Sequence, residues 1–204
     1  MKVAIFGFGN VGQQLAQIMA DAGQDVVIAS RDLTIDTKGL PVMTFADAAA
    51  SADAIVIAIH YAVAESVLRS VATFLTGKIV VDATNPLQED WSPLLTGEEN
   101  SAGEMIQHWL PESQVVKAFN TIFADVMSLD VRRGLQQPLA AFMASDYPAA
   151  KNWLQQIMQQ AAFYPVDAGP LKSARYLEAM AHLNIELAVG QGGGTQAGFV
   201  YSRL

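Results

Sequence analysis

Three glycines near the N-terminus have the spacing of a phosphate-binding turn, G-x-G-x-x-G. Gly7 permits a tight turn, Gly9 lets the backbone approach a pyrophosphate, and Gly12 allows a helix to pack close to a strand. The free N–H groups and the dipole at the start of that helix attract phosphate charge. The candidate cofactor-binding residues of this turn are Gly7, Phe8, Gly9, Asn10, Val11 and Gly12.

The elements around the turn make the motif specific. Residues 3–6 form an apolar run typical of a strand that is buried on both faces. Apolar residues at helical spacing follow the turn, Gly23 ends that helix, and residues 25–29 predict a second strand. Strand, glycine turn, helix and strand is the context of a dinucleotide-binding unit. The alternative is a glycine turn with a purely structural role.

The end of the second strand indicates which dinucleotide binds. Enzymes that use NAD usually carry Asp or Glu here to bind the ribose 2′-hydroxyl. This chain has Ser30 and Arg31, whose hydroxyl and planar guanidinium suit a 2′-phosphate. We therefore predict NADP(H). In the alternative, Arg31 is a solvated surface side chain and Asp32 holds the ribose of NAD.

Two further strands are predicted at residues 53–59 and 78–83, and their carboxyl ends face the ligand crevice of such a sheet. The residues at these ends are interpreted as neighbours of the ribose or nicotinamide. Alternatively, His60 merely caps the following helix. The candidate cofactor-binding residues here are Ala58, Ile59, His60, Asn85 and Pro86.

The later part of the chain carries three more expectations. Lys117 lies within a predicted strand at residues 114–118, and it is interpreted as an edge-strand lysine, with contact to an anionic group as the alternative. The irregular stretch 87–100 is expected to act as a lid that buries Trp91, Leu94 and Leu95. The apolar helix at 174–189 predicts a core element or a homodimer face.

The predicted fold class is α/β: a Rossmann doubly wound, mostly parallel sheet with a small C-terminal helical extension. We expect an NADP-binding domain at residues 1–168 and, at 169–204, a helix and glycine-rich tail packed on it as a single compact unit. The net charge of −8 argues against nucleic-acid binding. The chain has no cysteine, metal motif, signal peptide or membrane-spanning run, so we expect a cytoplasmic protein without a metal site.

The motifs together resemble the NADPH-dependent coenzyme F420 (deazaflavin) reductase family. The cytosolic domain of the six-transmembrane ferric reductases looks like a relative. The matching segments are 7–12 (GFGNVG), 30–31 (SR), 81–87 (VDATNPL), 116–121 (VKAFNT) and 167–176 (DAGPLKSARY). The resemblance implies that the glycine turn and the Ser30–Arg31 pair hold NADP, and that the deazaflavin lies near residues 119–121 and the final helix. His60 and Tyr61 depart from the family pattern on the acceptor side.

The predicted function is an NADP(H)-binding oxidoreductase that transfers a hydride between NADPH and a deazaflavin or flavin. Such transfer depends on placing two rings against each other, so the absence of an evident catalytic residue agrees with it. The alternatives are a non-enzymatic NADP(H) redox sensor and a reductase of a small carbonyl or imine. The expected partner is a small-molecule redox acceptor, with no nucleic acid or membrane.

Overall fold

An eight-stranded sheet forms the centre of the protein in the computed structural model, which describes residues 1–94 and 100–203. In chain order the strands are β1 (Lys2–Phe6), β2 (Asp25–Ala29), β3 (Val42–Met43), β4 (Ala54–Ile57), β5 (Ile79–Asp82), β6 (Gln114–Ala118), β7 (Ala140–Ala144) and β8 (Tyr164–Asp167). Their spatial order is β3-β2-β1-β4-β5-β6-β7-β8. Neighbours run parallel except for β6 and β7, which are antiparallel.

Seven α-helices in the described residues surround the sheet. They are α1 (Asn10–Asp21), α2 (Phe45–Ser51), α3 (Tyr61–Val71), α4 (Ala102–Trp109), α5 (Leu129–Gly134), α6 (Pro148–Gln160) and α7 (Ala174–Ile185). Helices α1 and α6 contribute to one apolar core, and α2, α3 and α4 contribute to another. Strands β1, β2, β4, β5 and β6 supply alternate residues to the two cores, as expected of a sheet covered on both faces.

The strand order reverses between β1 and β4, because the chain first extends the sheet to one side and then returns to the other. In open α/β sheets a ligand binds outside the carboxyl ends of the strands at such a switch point. The predicted fold class, a doubly wound and mostly parallel sheet with a C-terminal helix, is confirmed.

Two of the strands are short. Strand β3 has only two residues, because α2 begins at Phe45 and the hydroxyl of Thr44 caps it by accepting from Asp47 N at 3.2 Å. The predicted strand at 53–59 ends at Ile57, so Ala58 and Ile59 belong to the turn above the sheet. That turn lies next to the glycine turn.

The C-terminal segment returns to the sheet after α7, which a π-helical turn at Glu186–Gly190 extends. The carbonyl of Phe199 accepts a hydrogen bond of 2.8 Å from Ala140 N, so the tail pairs with the start of β7. The domain boundary at residue 168 stays a prediction. No helix in the described part of the chain has the length and apolar character needed to cross a bilayer.

The expected lid does not bury its apolar side chains where it is described. Trp91 is 51% exposed and Leu94 is 37% exposed. The backbone nearby forms a small turn in which Leu87 pairs with Pro93. Leu95, the third residue of that expectation, lies outside the described residues.

Candidate functional site

Two of the three motif glycines are required by packing, and the third is not. Gly7 has a φ of +96°, and a Cβ there would lie 2.7 Å from the carbonyl oxygen of Ala58. A Cβ on Gly12 would collide with the carbonyl oxygen of Gly7. A Cβ on Gly9 would meet nothing within 4 Å among the described residues, and its φ of −72° suits any residue. The open space at Gly9 therefore lies at the start of α1, where N–H groups lack intrahelical partners.

A cavity of about 530 Å³ lies beside the glycine turn at the carboxyl ends of β1 and β2. Its lining residues are Gly7, Ala29, Ser30, Arg31, Asp32, Phe45 and Ile59. The cavity thus brings together Gly7 from the predicted phosphate turn, the predicted ribose-phosphate pair, and Ile59 from the end of β4.

Arg31 and Asp32 differ in whether their side chains already have partners within the protein. The Oδ1 atom of Asp32 accepts from the backbone N–H and the hydroxyl of Thr34, at 2.8 and 2.7 Å. These hydrogen bonds lower the pKa of Asp32 and hold its carboxylate within its own loop. Arg31 is exposed, and its guanidinium bonds to no other side chain in residues 1–94 and 100–203. The geometry favours Arg31 over Asp32 as the group that meets a ligand.

The remaining predicted residues occupy several environments. Phe8, Val11 and Ala58 pack against the core below the glycine turn, and Pro86 is buried. Asn10 lines a second cavity of about 340 Å³, together with residues of α1 and of the segment after β6. His60 occupies the N-cap position of α3, but its exposed side chain makes no capping hydrogen bond. Whether these residues contact a cofactor stays a prediction.

Asn85 lies at the carboxyl end of β5 and is paired with a second amide. Its Nδ2 donates to the backbone carbonyl of Asn120 at 2.7 Å, and its Oδ1 accepts from Asn120 Nδ2 at 3.0 Å. Because an amide nitrogen carries two hydrogens, one N–H of the partly buried Asn85 is left for another acceptor.

The edge-strand interpretation of Lys117 is wrong. Strand β6 lies between β5 and β7, and Lys117 is fully buried. Its Nζ lies 2.8 Å from Asp82 Oδ2 and 2.9 Å from Glu178 Oε1, and it donates to the carbonyl of Thr84 at 2.6 Å. The alternative interpretation, contact with an anionic group, is confirmed. The anionic groups are the protein's own carboxylates, Asp82 and Glu178.

The three charged side chains Lys117, Asp82 and Glu178, here named the Lys117 cluster, are well compensated. Burial lowers the pKa of Lys117, but the two carboxylates outweigh burial and leave that pKa raised, so the amine stays charged. Asp82 accepts from the N–H and hydroxyl of Thr84. Glu178 accepts from the N–H groups of Ala102 and Gly103 at the start of α4. The cluster therefore joins β5, β6, α4 and α7, and through Lys117 it holds the carbonyl of Thr84, the residue before Asn85.

Two titratable side chains lie near the cluster. Tyr61, at the start of α3, stacks on Trp109 with ring centroids 5.8 Å apart. Burial, followed by the charges of Glu178 and Asp82, raises the pKa of Tyr61 to about 12, so its phenol is neutral at pH 7. Burial also lowers the pKa of His182, which is therefore neutral at the same pH. In the described residues, no group of three or more His, Cys, Asp or Glu side chains is arranged to hold a metal ion.

The sequence analysis missed Glu178, and it placed Asn120 only within the segment 119–121 expected near the deazaflavin, without its amide contacts. A partial signal was present, because Asp82 and Lys117 are each the only charged residue of their strand, whereas α7 carries Arg175 and His182 besides Glu178. Isolated opposite charges in buried elements are expected to pair, since an unpaired buried charge is strongly unfavourable. The hydrogen bonds of Asn120 to Asn85 and Leu177 had no comparable signal, because asparagine is common at the ends of strands.

Comparison with known proteins agrees with this geometry. The family model described as NADP oxidoreductase, coenzyme F420-dependent, matches residues 2–86. An F420-dependent NADP reductase from Methanothermobacter thermautotrophicus is 28% identical in an alignment 215 positions long. The alignment covers 93% of this chain and 90% of that protein. The solved structure of a candidate F420-dependent NADP reductase from Arthrobacter sp. FB24 is 31% identical, with a TM-score of 0.88 over the full length of both chains.

A second group of relatives is longer. Metalloreductase STEAP3 from Rattus norvegicus is 31% identical over 182 residues, covering 88% of this chain but 36% of that protein. The chain therefore spans about a third of the length of these metalloreductases. The match over the whole of the Arthrobacter protein confirms the resemblance seen in the sequence motifs, and the chain belongs to the coenzyme F420-dependent NADP oxidoreductase family.

Proposed function

We propose that the protein binds NADPH and transfers its hydride to a flavin-like acceptor, a deazaflavin or a flavin. The observation that carries the proposal is the cavity in which Arg31 and Ser30 stand beside Gly7, while the Asp32 carboxylate is held in its own loop. A guanidinium fork in that position suits a phosphate on the ribose, whereas NAD enzymes use a carboxylate there.

The residues present fit the cofactor along its length. The open space at Gly9 and the N–H groups of the first turn of α1 would hold the pyrophosphate, and α1 has no acidic residue there to repel it. Ile59, His60 and Asn85, at the ends of β4 and β5, would border the nicotinamide half. When bound, NADPH supplies the hydride, and the protein positions the ring and excludes water.

The relatives of this chain bear on the identity of the acceptor. Relatives that match this chain over most of their length are named as F420-dependent, which supports a deazaflavin. The metalloreductase relatives carry a metal acceptor in their name, but most of their length lies outside this match. A reductase of small imines or carbonyls is less supported, since α7 contains no lysine of the kind related hydroxyacid dehydrogenases use. A redox sensor without turnover remains the non-enzymatic alternative.

Replacing Arg31 tests the nucleotide assignment. Charge-assisted hydrogen bonds to a phosphate contribute enough that Arg31→Ala is expected to weaken NADPH binding by about 10- to 100-fold. NADH lacks the 2′-phosphate, so its dissociation constant is expected to change by less than about threefold. Arg69→Ala is the matched control, because Arg69 is exposed on α3 and pairs only with Glu65 among the described residues. Equal losses for NADPH and NADH would remove the argument for NADP selectivity.

We also propose that the protein is a cytoplasmic homodimer that pairs through α7. Tyr176, Leu183 and Leu187 are 70%, 53% and 50% exposed, and their spacing places them on one side of the helix. An exposed apolar stripe of this kind is typical of a contact surface. Sedimentation is expected to show a dimer that Leu183→Glu converts to a monomer, and a monomeric wild-type protein would refute the dimer. Cell fractionation tests the location.

A further inference from the structure

Asn120 is held in an unusual arrangement at the carboxyl end of β6. It is 6% exposed, and the preceding residue, Phe119, has a φ of +64°, which is rare for a bulky side chain. Asn120 Nδ2 donates to Asn85 Oδ1 and to the carbonyl of Leu177, both at 3.0 Å. Its backbone carbonyl accepts from Asn85 Nδ2 at 2.7 Å. Asn120 therefore binds both the nitrogen and the oxygen of the Asn85 side-chain amide.

The orientation of the Asn120 amide follows from these partners. If its nitrogen and oxygen were exchanged, the oxygen would face two other oxygens, Asn85 Oδ1 and the carbonyl of Leu177. In the present orientation, Asn120 Oδ1 is buried and accepts no hydrogen bond from the described residues. Buried polar atoms are rarely left unpaired, so this arrangement needs a reason. The reason visible in the structure is the fixed orientation of Asn85.

We propose that Asn120 is a positioning residue for the nicotinamide half of the cofactor. It orients Asn85 so that the second N–H of the Asn85 amide points toward an acceptor oxygen of the nicotinamide carboxamide or its ribose. Asn120 itself, which is buried, does not contact the cofactor. This inference rests on the proposed NADPH binding and adds to it the group that fixes one contact.

A purely structural role for Asn120 is the competing explanation, since the same side chain also ties β6 to α7. The chain offers a matched control for that role. Asn184, which is 5% exposed, donates from Nδ2 to the carbonyl of Thr121 at 3.2 Å and so ties α7 to the same segment without contacting Asn85. Asn184→Ala removes a tie of the same kind and leaves the Asn85–Asn120 pair in place.

The test is a double-mutant cycle read out by ligand binding. Dissociation constants for NADPH and for 2′,5′-ADP are measured with four proteins: wild type, Asn85→Ala, Asn120→Ala and the double variant. The second ligand, 2′,5′-ADP, has the phosphates of the adenosine half but no nicotinamide. A single hydrogen bond corresponds to about three- to tenfold in affinity. Each single variant is expected to lose NADPH affinity by about that factor. The double variant is expected to lose no more NADPH affinity than Asn85→Ala does. The affinity for 2′,5′-ADP is expected to be unchanged in all three variants. Asn184→Ala is expected to bind both ligands like wild type.

Other results overturn the inference. One is a loss of NADPH affinity in the double variant that equals the product of the two single losses. Another is wild-type NADPH affinity in either single variant. The third is an equal loss of NADPH and 2′,5′-ADP affinity in Asn120→Ala. If Asn120→Ala does not fold, Asn120→Asp replaces it, because Asp keeps the shape but puts an oxygen where Nδ2 donates. If the Asn120 inference fails but wild type binds 2′,5′-ADP tightly, the proposed function is left intact. Binding of neither ligand by wild type would refute both.

Discussion

Replacing Lys117 by methionine is expected to destabilise the protein strongly, because it leaves two carboxylates buried without their shared cation. Lys117 and Asp82 have fully buried side chains, and that of Glu178 is 5% exposed. Breaking a buried ion pair by removing one partner typically costs about 3–5 kcal/mol in the free energy of unfolding. For a chain of this size each kcal/mol shifts the melting temperature by about 2–4 °C, so Lys117→Met should lower it by about 6–20 °C.

Lys151→Met provides the control for the chemistry of the substitution. Lys151 pairs with Asp167 at the same 2.8 Å separation, but the Asp167 side chain is 51% exposed. Exposed pairs contribute about 0–1 kcal/mol, so the melting temperature should fall by less than about 4 °C. Scanning calorimetry of both variants measures the difference. Comparable melting temperatures for the two variants would refute the reasoning, since Lys117 leaves two buried carboxylates unpaired and Lys151 leaves one that is half exposed.

A second variant separates the charge effect from the loss of packing. Adding Glu178→Gln to Lys117→Met removes one of the two unpaired charges while keeping one oxygen, which can accept from Ala102 N or Gly103 N. The double variant is therefore expected to melt higher than Lys117→Met alone. A lower melting temperature for the double variant would indicate that packing, rather than charge, dominates at this site.

Two other predictions concern the glycine turn and Tyr61. Gly9→Ala should change the free energy of unfolding by less than about 0.5 kcal/mol, because its Cβ meets open space, yet it should weaken NADPH binding. Gly12→Ala should lower the free energy of unfolding by about 1–3 kcal/mol, because its Cβ contacts the Gly7 carbonyl. Urea unfolding and NADPH titration measure both effects, and a destabilised Gly9→Ala with normal binding would contradict the assignment. The folded pKa of Tyr61, about 12, exceeds its ordinary value of 10.0, so the unfolded chain loses this proton first and stability should fall as pH rises from 10 to 12. Tyr61→Phe should show a smaller fall in melting temperature over that range, and an unchanged fall would count against the raised pKa.

The first half of the fold could be predicted because its signals are local. The buried strand at 3–6, the motif glycines and the helix after them follow one another without interruption, and each requires the next. The pairing of Ser30 and Arg31 with Gly7 follows from the parallel register of β1 and β2, which brings their carboxyl ends to one edge. These features need no knowledge of how distant segments pack.

Lys117 and Asn120 could not be interpreted in the same way, because their partners are distant in the sequence. The edge interpretation of Lys117 failed because β7, which follows after a long connection, pairs antiparallel with β6 and covers its free side. Asn120 bonds to Leu177 across 57 positions, and Lys117 pairs with a glutamate on the same final helix. The placement of α7 against the strand ends is a tertiary feature that periodicity does not reveal.

The central claim, that this protein moves a hydride from NADPH to a flavin-like acceptor, is tested most directly by following NADPH absorbance in parallel reactions. The purified protein is mixed with NADPH and either a deazaflavin, a free flavin, a ferric chelate or a small cyclic imine, and NADH replaces NADPH in a matched set. The account predicts NADPH oxidation with the deazaflavin or flavin and much slower oxidation of NADH. Tight NADPH binding without oxidation by any acceptor, or turnover with the imine alone, would contradict it.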